Sequence, residues 1–251
     1  MEGCDGTLDG LPGELTFRRW ERFGAGGAKI IWGEATAVVP EARANPRQLV
    51  IEERAAPALK ELLTRTRLAH RQRFGGDDDL IVGIQLTHSG RFSHPSPLIA
   101  QHAPPLDAVK HIDSGHPLIA DEYLERLEDR YVDAAALAYT IGFDFVDIKQ
   151  CHGYLLNELL GARARGGRYG GAFEGRTRFV RNVVGKIRAR AGHRLLIASR
   201  LNLYDGAPFV AGADGTCEQS RGPYPWGFGT NCEQPDEPDL DEPLRSRWFT
   251  A

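Results

Sequence analysis

What most constrains this chain is an alternation repeated four times: a helical stretch, a glycine stop, an apolar strand, and a polar residue where the strand ends. The helical stretches are residues 14–25, 52–73, 121–141 and 173–191, and the strands after them are Lys29–Val39, Leu80–His88, Phe143–Ile148 and Arg194–Arg200. Glu34, Gln85, Lys149 and Arg200 are the terminal polar residues. Regular helix–strand alternation implies a parallel sheet with right-handed crossovers. Polar groups gathered at the carboxyl ends of successive strands favour a TIM-type barrel, with an open doubly wound sheet as the alternative.

The periodicity assigns inward faces. Leu15, Phe17, Trp20 and Phe23 share one side of the first helix, and Ala58, Leu59, Leu62 and Leu63 share one side of the second. Leu124, Leu127, Tyr131, Ala134 and Ala138 form the stripe of the third, whose acidic start (Asp121, Glu122) suits the helix dipole and whose stop is Gly142. In the fourth, Phe173, Val180, Val183, Val184 and Ile187 point inward. Its basic residues (Arg176, Arg178, Arg181, Lys186, Arg188, Arg190) read as a solvated face. The glycines at 24–27 come before a strand rather than after one, so they are a helix stop and not a dinucleotide fingerprint.

The count poses a difficulty. A complete barrel of eight units takes about 250 residues, yet only four strands are legible in 251. From Asn202 the chain turns rich in Gly, Pro and acids, and no further strand is expected there. Half a barrel leaves two open edges and an unfilled interior, an aggregation hazard unless something covers it.

Composition removes several function classes. A formal net charge of −3 argues against non-specific nucleic-acid binding. Cys4, Cys151, Cys217 and Cys232 are scattered, as suits free thiols in a reducing cytoplasm better than disulfides or a zinc or iron–sulfur site. No apolar run approaches the ~18 residues of a membrane span, and the first residues lack the basic and apolar regions of a signal peptide. The chain is therefore expected to be soluble and cytoplasmic.

Two stretches carry chemistry. Asp144–Leu156 runs an apolar strand straight into Lys149, His152 and Tyr154, three groups able to hold or move a proton. In parallel α/β folds ligands sit at that end of a strand. A strand leaving the core with Lys149 and His152 merely solvated is the plainer alternative, as is Tyr154 being a packed aromatic at a helix start. Residues 89–120 form a long segment expected to be without regular structure. The histidines of this region (His88, His94, His102, His111, His116) lack ligand-like spacing and are expected to face solvent or substrate.

Four motifs together resemble the Old Yellow Enzyme family of FMN-dependent NAD(P)H:flavin oxidoreductases. They are Gly33-Glu-Ala-Thr-Ala-Val, Gly83-Ile-Gln-Leu-Thr-His-Ser-Gly-Arg, Gly142-Phe-Asp-Phe-Val-Asp-Ile with His152-Gly-Tyr-Leu-Leu, and Arg168-Tyr-Gly-Gly-Ala-Phe-Glu-Gly-Arg. The resemblance spans residues 1–205 as a flavin-oxidoreductase domain, with 206–251 a loop-like C-terminal segment. It implies strands two to five of a (β/α)8 barrel, so a TIM-barrel-like α/β fold that is incomplete. Met1-Glu2 then falls just after the family's first strand, and the seventh and eighth units that supply the flavin-phosphate site are absent.

The resemblance also implies roles. Ala35, Gln85 and Arg200 match cofactor-binding positions: a backbone contact at the pyrimidine side, an amide on the isoalloxazine ring, and a cation near N1 and O2 of that ring. Tyr154 matches the proton donor to the substrate, and Lys149 and His152 match the pair gripping its activating carbonyl. Lys149 departs from the histidine usual there, trading an oriented ring N–H for a flexible point charge. Alternatively Lys149 pairs with Asp147 and is structural. The implied activity is transfer of hydride from FMN, reduced by NADH or NADPH, to an activated alkene in a small-molecule substrate. The other reading is a catalytically incompetent half-barrel that needs a second copy or a complementing chain to complete the FMN site.

Overall fold

The computed structural model describes residues 3–212, 214–219 and 222–246; Met1 and Glu2 lie outside them. The order is α1 (Glu14–Ala25), β1 (Ile30–Ala37), α2 (Ala56–Phe74), β2 (Ile81–Thr87), α3 (Pro104–Lys110), α4 (Asp121–Ile141), β3 (Phe145–Ile148), α5 (Leu155–Leu160), α6 (Phe173–Arg176), α7 (Arg178–Ala191) and β4 (Leu196–Ala198). The strands form one sheet in the order β1-β2-β3-β4, each neighbouring pair parallel. Because every strand pairs with its successor and the order never reverses, this is an arc of a barrel and not a doubly wound sheet.

One face of the arc is packed by α1, α2, α4 and α7. Trp20, Leu59, Leu62, Val82, Ile84, Leu124, Tyr131, Val146 and Val183 interlock there, none more than 1% exposed. The expected stripe of α4 is buried throughout. Gly142 closes that helix at φ 112 and Gly75 closes α2 at φ 85, left-handed positions that favour glycine. In α1 the inward residues are Thr16, Trp20 and Gly24, whereas Leu15 and Phe23 are exposed. The reason is close approach. Gly24 backs onto the Thr66 carbonyl of α2, where a Cβ would collide, and that contact fixes the helix's rotation.

Other expectations need correction. Residues 173–191 break at Thr177 into α6 and α7, and Phe179 replaces Phe173 in the core. Arg176 is not on a solvated face. It is 3% exposed, donates to the Gly171 carbonyl at 2.9 Å and to the Leu160 carbonyl, and pairs with Glu242. Lys186 and Arg190 reach Glu128, Asp129 and Asp133 of α4. Residues 89–120 are not structureless, since they hold a 3-10 turn (Gly90–Phe92), α3, and a parallel bridge between Ile99 and Leu118.

The tail carries a short antiparallel ribbon, β5 (Phe209–Ala211) with β6 (Cys217–Gln219), and the helix α8 (Asp241–Arg245), so strands do follow Asn202. It folds back on the helices, with Asn157 of α5 donating to Asp205 at 2.8 Å and Arg163 meeting Glu242 at 3.2 Å. Among the described residues no helix is long and apolar enough to cross a membrane.

The other, concave face of the sheet is different. Ile30, Trp32, Ile81 and Leu196 are 57%, 49%, 37% and 54% exposed. Trp32, Gly83, Phe145 and Leu196 stand abreast, and the next inward row holds Gln85, Asp147 and Ala198. Gly83 leaves room for the Phe145 ring, which meets Trp32 edge-on at 4.8 Å.

Candidate active site

Three strands and the segment after the fourth converge on one carboxylate of the concave face. Asp147, wholly buried in β3, accepts from Trp32 Nε1 of β1 at 2.7 Å, from Gln85 Nε2 of β2, and from the Arg200 backbone N–H beyond β4 at 2.8 Å. Gln85 is 1% exposed, and with its Nε2 on Asp147 its Oε1 has no partner. Trp32, Gln85, Ser199 and Arg200 line a hollow of about 370 Å³. Ala35 stands opposite Gln85 in the β1–β2 register, fully buried, its carbonyl accepting from Gln48 Nε2 at 2.9 Å.

Lys149 follows two residues after Asp147, at the tip of β3, and is 1% exposed. Its ammonium lies 3.7 Å from the centre of the Tyr154 ring, a cation–π contact in which the lysine is held against the phenol. Tyr154 is 6% exposed and caps the start of α5; Phe92 and His152 stand at 5.5 and 6.4 Å from its ring centre. Gln150 extends the β3–β4 pairing one step further through Arg200 and Asn202. Burial pushes the Cys151 thiol up, opposed by the nearby charges of Lys149 and Arg200 and reinforced by Asp147.

His152 and Gly153 both adopt left-handed backbone, φ 65 and 66. A non-glycine residue held there costs of order 1–3 kcal/mol and persists only where the surroundings impose it. Here Gly153 N–H donates to Asn157 Oδ1 at 2.7 Å, and Asn157 in turn donates to Asp205 at 2.8 Å. The exposed His152 borders a cavity of about 320 Å³ walled by Phe92, Tyr204, Tyr224 and Trp226. Asp205, in the same wall, is pushed up by burial despite its bonds to Asn202, Phe228 and Asn157.

The histidines expected to be solvated or substrate-facing are in part fasteners of the β2–α3 region. His88 is 1% exposed and burial lowers it to about 3, so it is neutral. Its Nδ1 accepts from Gly90 N–H, which leaves Nε2–H to donate to the Tyr123 hydroxyl at 2.8 Å. His102 bonds Asp107 and the His116 carbonyl, and His116 bonds the Pro97 carbonyl. Among the described residues no group of three or more His, Cys, Asp or Glu is placed to hold a metal.

The model of the NADH:flavin oxidoreductase / NADH oxidase family matches residues 26–213. The chain belongs to that family. Among curated relatives, the NADPH dehydrogenase of Halalkalibacterium halodurans is 31% identical over 183 residues, covering 71% of this chain and 50% of the relative. That of Geobacillus thermodenitrificans is 30% identical over 197 residues, covering 75% and 53%. The chain thus spans about half the length of the curated relatives it matches. Among solved structures, the old yellow enzyme homologue from Zymomonas mobilis superposes with TM-score 0.61 at 26% identity, over 78% of this chain and 56% of that one. Old Yellow Enzyme from Pichia sp. AKU4542 reaches TM-score 0.67 at 22% identity, over 82% and 55%, which establishes the fold. The four-stranded arc is accordingly part of a TIM barrel of the Old Yellow Enzyme type.

Asp147 was not singled out by sequence for this role. A carboxylate inside an apolar strand gives no local sign that its partners lie 62 and 115 residues away.

Proposed function

We propose that this chain carries the flavin- and substrate-facing part of an FMN-dependent NAD(P)H oxidoreductase of ene-reductase type. The observation that carries the reading is Gln85 Oε1, a buried acceptor without a partner, beside the hollow it shares with Arg200. Leaving such an atom unpaired costs about 1–3 kcal/mol, and a flavin ring edge bearing an N–H beside carbonyls is the kind of group that relieves it. The residues present therefore fit FMN: Gln85 would hydrogen-bond the ring, Arg200 would supply positive charge to it, and the Ala35 backbone would border it. Bound FMN would accept hydride from NADH or NADPH and pass it to the β-carbon of an activated alkene.

The chain's own part is charge and proton placement. Lys149 and His152 would hold the substrate's activating carbonyl oxygen, where negative charge develops. Tyr154 would protonate the α-carbon from its hydroxyl, and a phenol does so only when that carbon has become strongly basic. Lys149, lying against the Tyr154 ring, would serve both events. Residues 1–205 would form the flavin-oxidoreductase unit, with 206–251 a Gly-, Pro- and acid-rich C-terminal segment. Scattered free thiols support a reducing, cytoplasmic setting.

Purified protein mixed with FMN should retain a yellow chromophore through desalting. Anaerobic NADH or NADPH should bleach it, and an α,β-unsaturated ketone should restore the colour. Protein left colourless after exposure to FMN would count against the reading.

The concave face favours a second reading. Ile30, Trp32, Ile81 and Leu196 form an apolar surface that a closed barrel would bury. On that reading a second copy or another chain completes the FMN site. Sedimentation would then give a dimer or heteromer, and a stable monomer binding FMN tightly would exclude it.

A further inference from the structure

We propose that Asp147 is a positioning residue that sets the polarity of the Gln85 amide, so that Gln85 offers an acceptor and not a donor to the flavin. The inference rests on the flavin reading above and adds which edge of the ring Gln85 selects: the imide N–H.

An amide has two ends of opposite character, and nothing in its shape prefers one orientation over the other. At Gln85 the choice is made by Asp147, an ionised carboxylate being acceptor-only. With Nε2 toward Asp147 the contact is a charge-assisted hydrogen bond; reversed, Oε1 would face a carboxylate oxygen. Both oxygens of Asp147 are engaged: Oδ2 takes Trp32 Nε1 and Gln85 Nε2, and Oδ1 takes the Arg200 N–H. The same side chain thus fixes the Gln85 amide and the backbone from which the Arg200 side chain springs. The remaining Gln85 Oε1 is buried and unpartnered. Its complement on a flavin is the N3 imide proton, the one hydrogen-bond donor of the oxidised ring system.

Asparagine at this position could not do the same. Three donors converge on Asp147, and an Asn offers one acceptor oxygen and a donor NH₂. Either the NH₂ confronts Arg200 N–H, or it faces Gln85 and turns that amide around.

The test is a ratio of affinities read by quenching of flavin fluorescence, using FMN and FMN methylated at N3. The wild-type chain should prefer FMN by roughly tenfold or more, the worth of one buried hydrogen bond. Gln85→Met should bring the ratio to about one, Asp147→Asn should reduce it to below about threefold, and Asp147→Glu should recover most of it. A general loss of structure would weaken both ligands alike and leave the ratio unmoved. If Asp147→Asn does not fold, NMR of the unliganded wild type decides. A Gln85 side-chain NH₂ proton shifted downfield and protected from exchange supports the proposal, and one exchanging freely overturns it. A wild type that binds FMN with a ratio near one, or an Asp147→Asn chain that keeps the wild-type ratio, overturns the inference and leaves the flavin reading standing. A wild type that binds neither ligand overturns both.

Discussion

The two faces of the same four strands follow opposite rules. On the outer face, Val82, Ile84 and Val146 meet helices and are fully buried, as any parallel sheet requires. On the inner face, neighbouring residues of those strands leave Ile30, Trp32 and Leu196 about half exposed and bring an indole N–H and an amide onto one carboxylate. The outer face is explained by folding alone. The inner face is explained only by what it is built to meet.

That contrast can be broken most sharply at Trp20. Its removal on the outer face, Trp20→Ala, should cost about 3–5 kcal/mol by urea unfolding, because a fully buried indole leaves a cavity between α1 and the sheet. A loss under about 1 kcal/mol would show that the outer face is not the main store of stability.

At the strand tips the expected effect is one of pH. His88 is held neutral in the fold, well below its ordinary value of 6.5. The unfolded chain takes up a proton below that value while the folded one does not until about 3. Its contribution is therefore full above pH 6.5 and falls, as pH drops through that window, by about 1.4 kcal/mol per unit. Unfolding curves of His88→Asn should be flatter than wild type between about pH 6 and 4, and parallel curves would refute the assignment.

Trp32→Phe keeps the ring against Phe145 but removes the donor to Asp147. It should cost about 1 kcal/mol, well short of Trp20→Ala, while weakening FMN retention through the disturbed Asp147. Smallest of all, Ile30→Thr and Leu196→Thr should change monomer stability by no more than about 0.5 kcal/mol. Any self-association seen by sedimentation should nevertheless decline. A large stability loss in these two would mean that the concave face is already covered within the chain.

The sequence made the outer face readable because its signal is local. The α1 and α4 boundaries agree with the expected ones, and the α4 stripe is buried as its spacing implies. Periodicity failed where a distant partner decides the outcome. Thr16 and Gly24 point inward because Thr16 bonds Asp5 and Gly24 abuts Thr66, and Phe23 is left outside. Arg176 reads as one of a row of surface cations, yet it is buried because Glu242 comes back 66 residues later. At the site, the polar ends Gln85, Lys149 and Arg200 were legible from their position after apolar runs. Glu34, read the same way, instead accepts from Trp20 and Arg19. Asp147, which joins two of the legible three, was visible only as a possible partner for Lys149.

The Arg176–Glu242 contact changes how the last fifth of the chain should be regarded. A guanidinium enclosed in the helix layer has its only carboxylate among the described residues on α8. Cutting the polypeptide after residue 205 would thus not trim an ornament; it would take away the carboxylate that neutralises Arg176 and leave the guanidinium to the Gly171 and Leu160 carbonyls. Anyone shortening this protein to a minimal flavin unit should keep α8 or neutralise Arg176 in the same step.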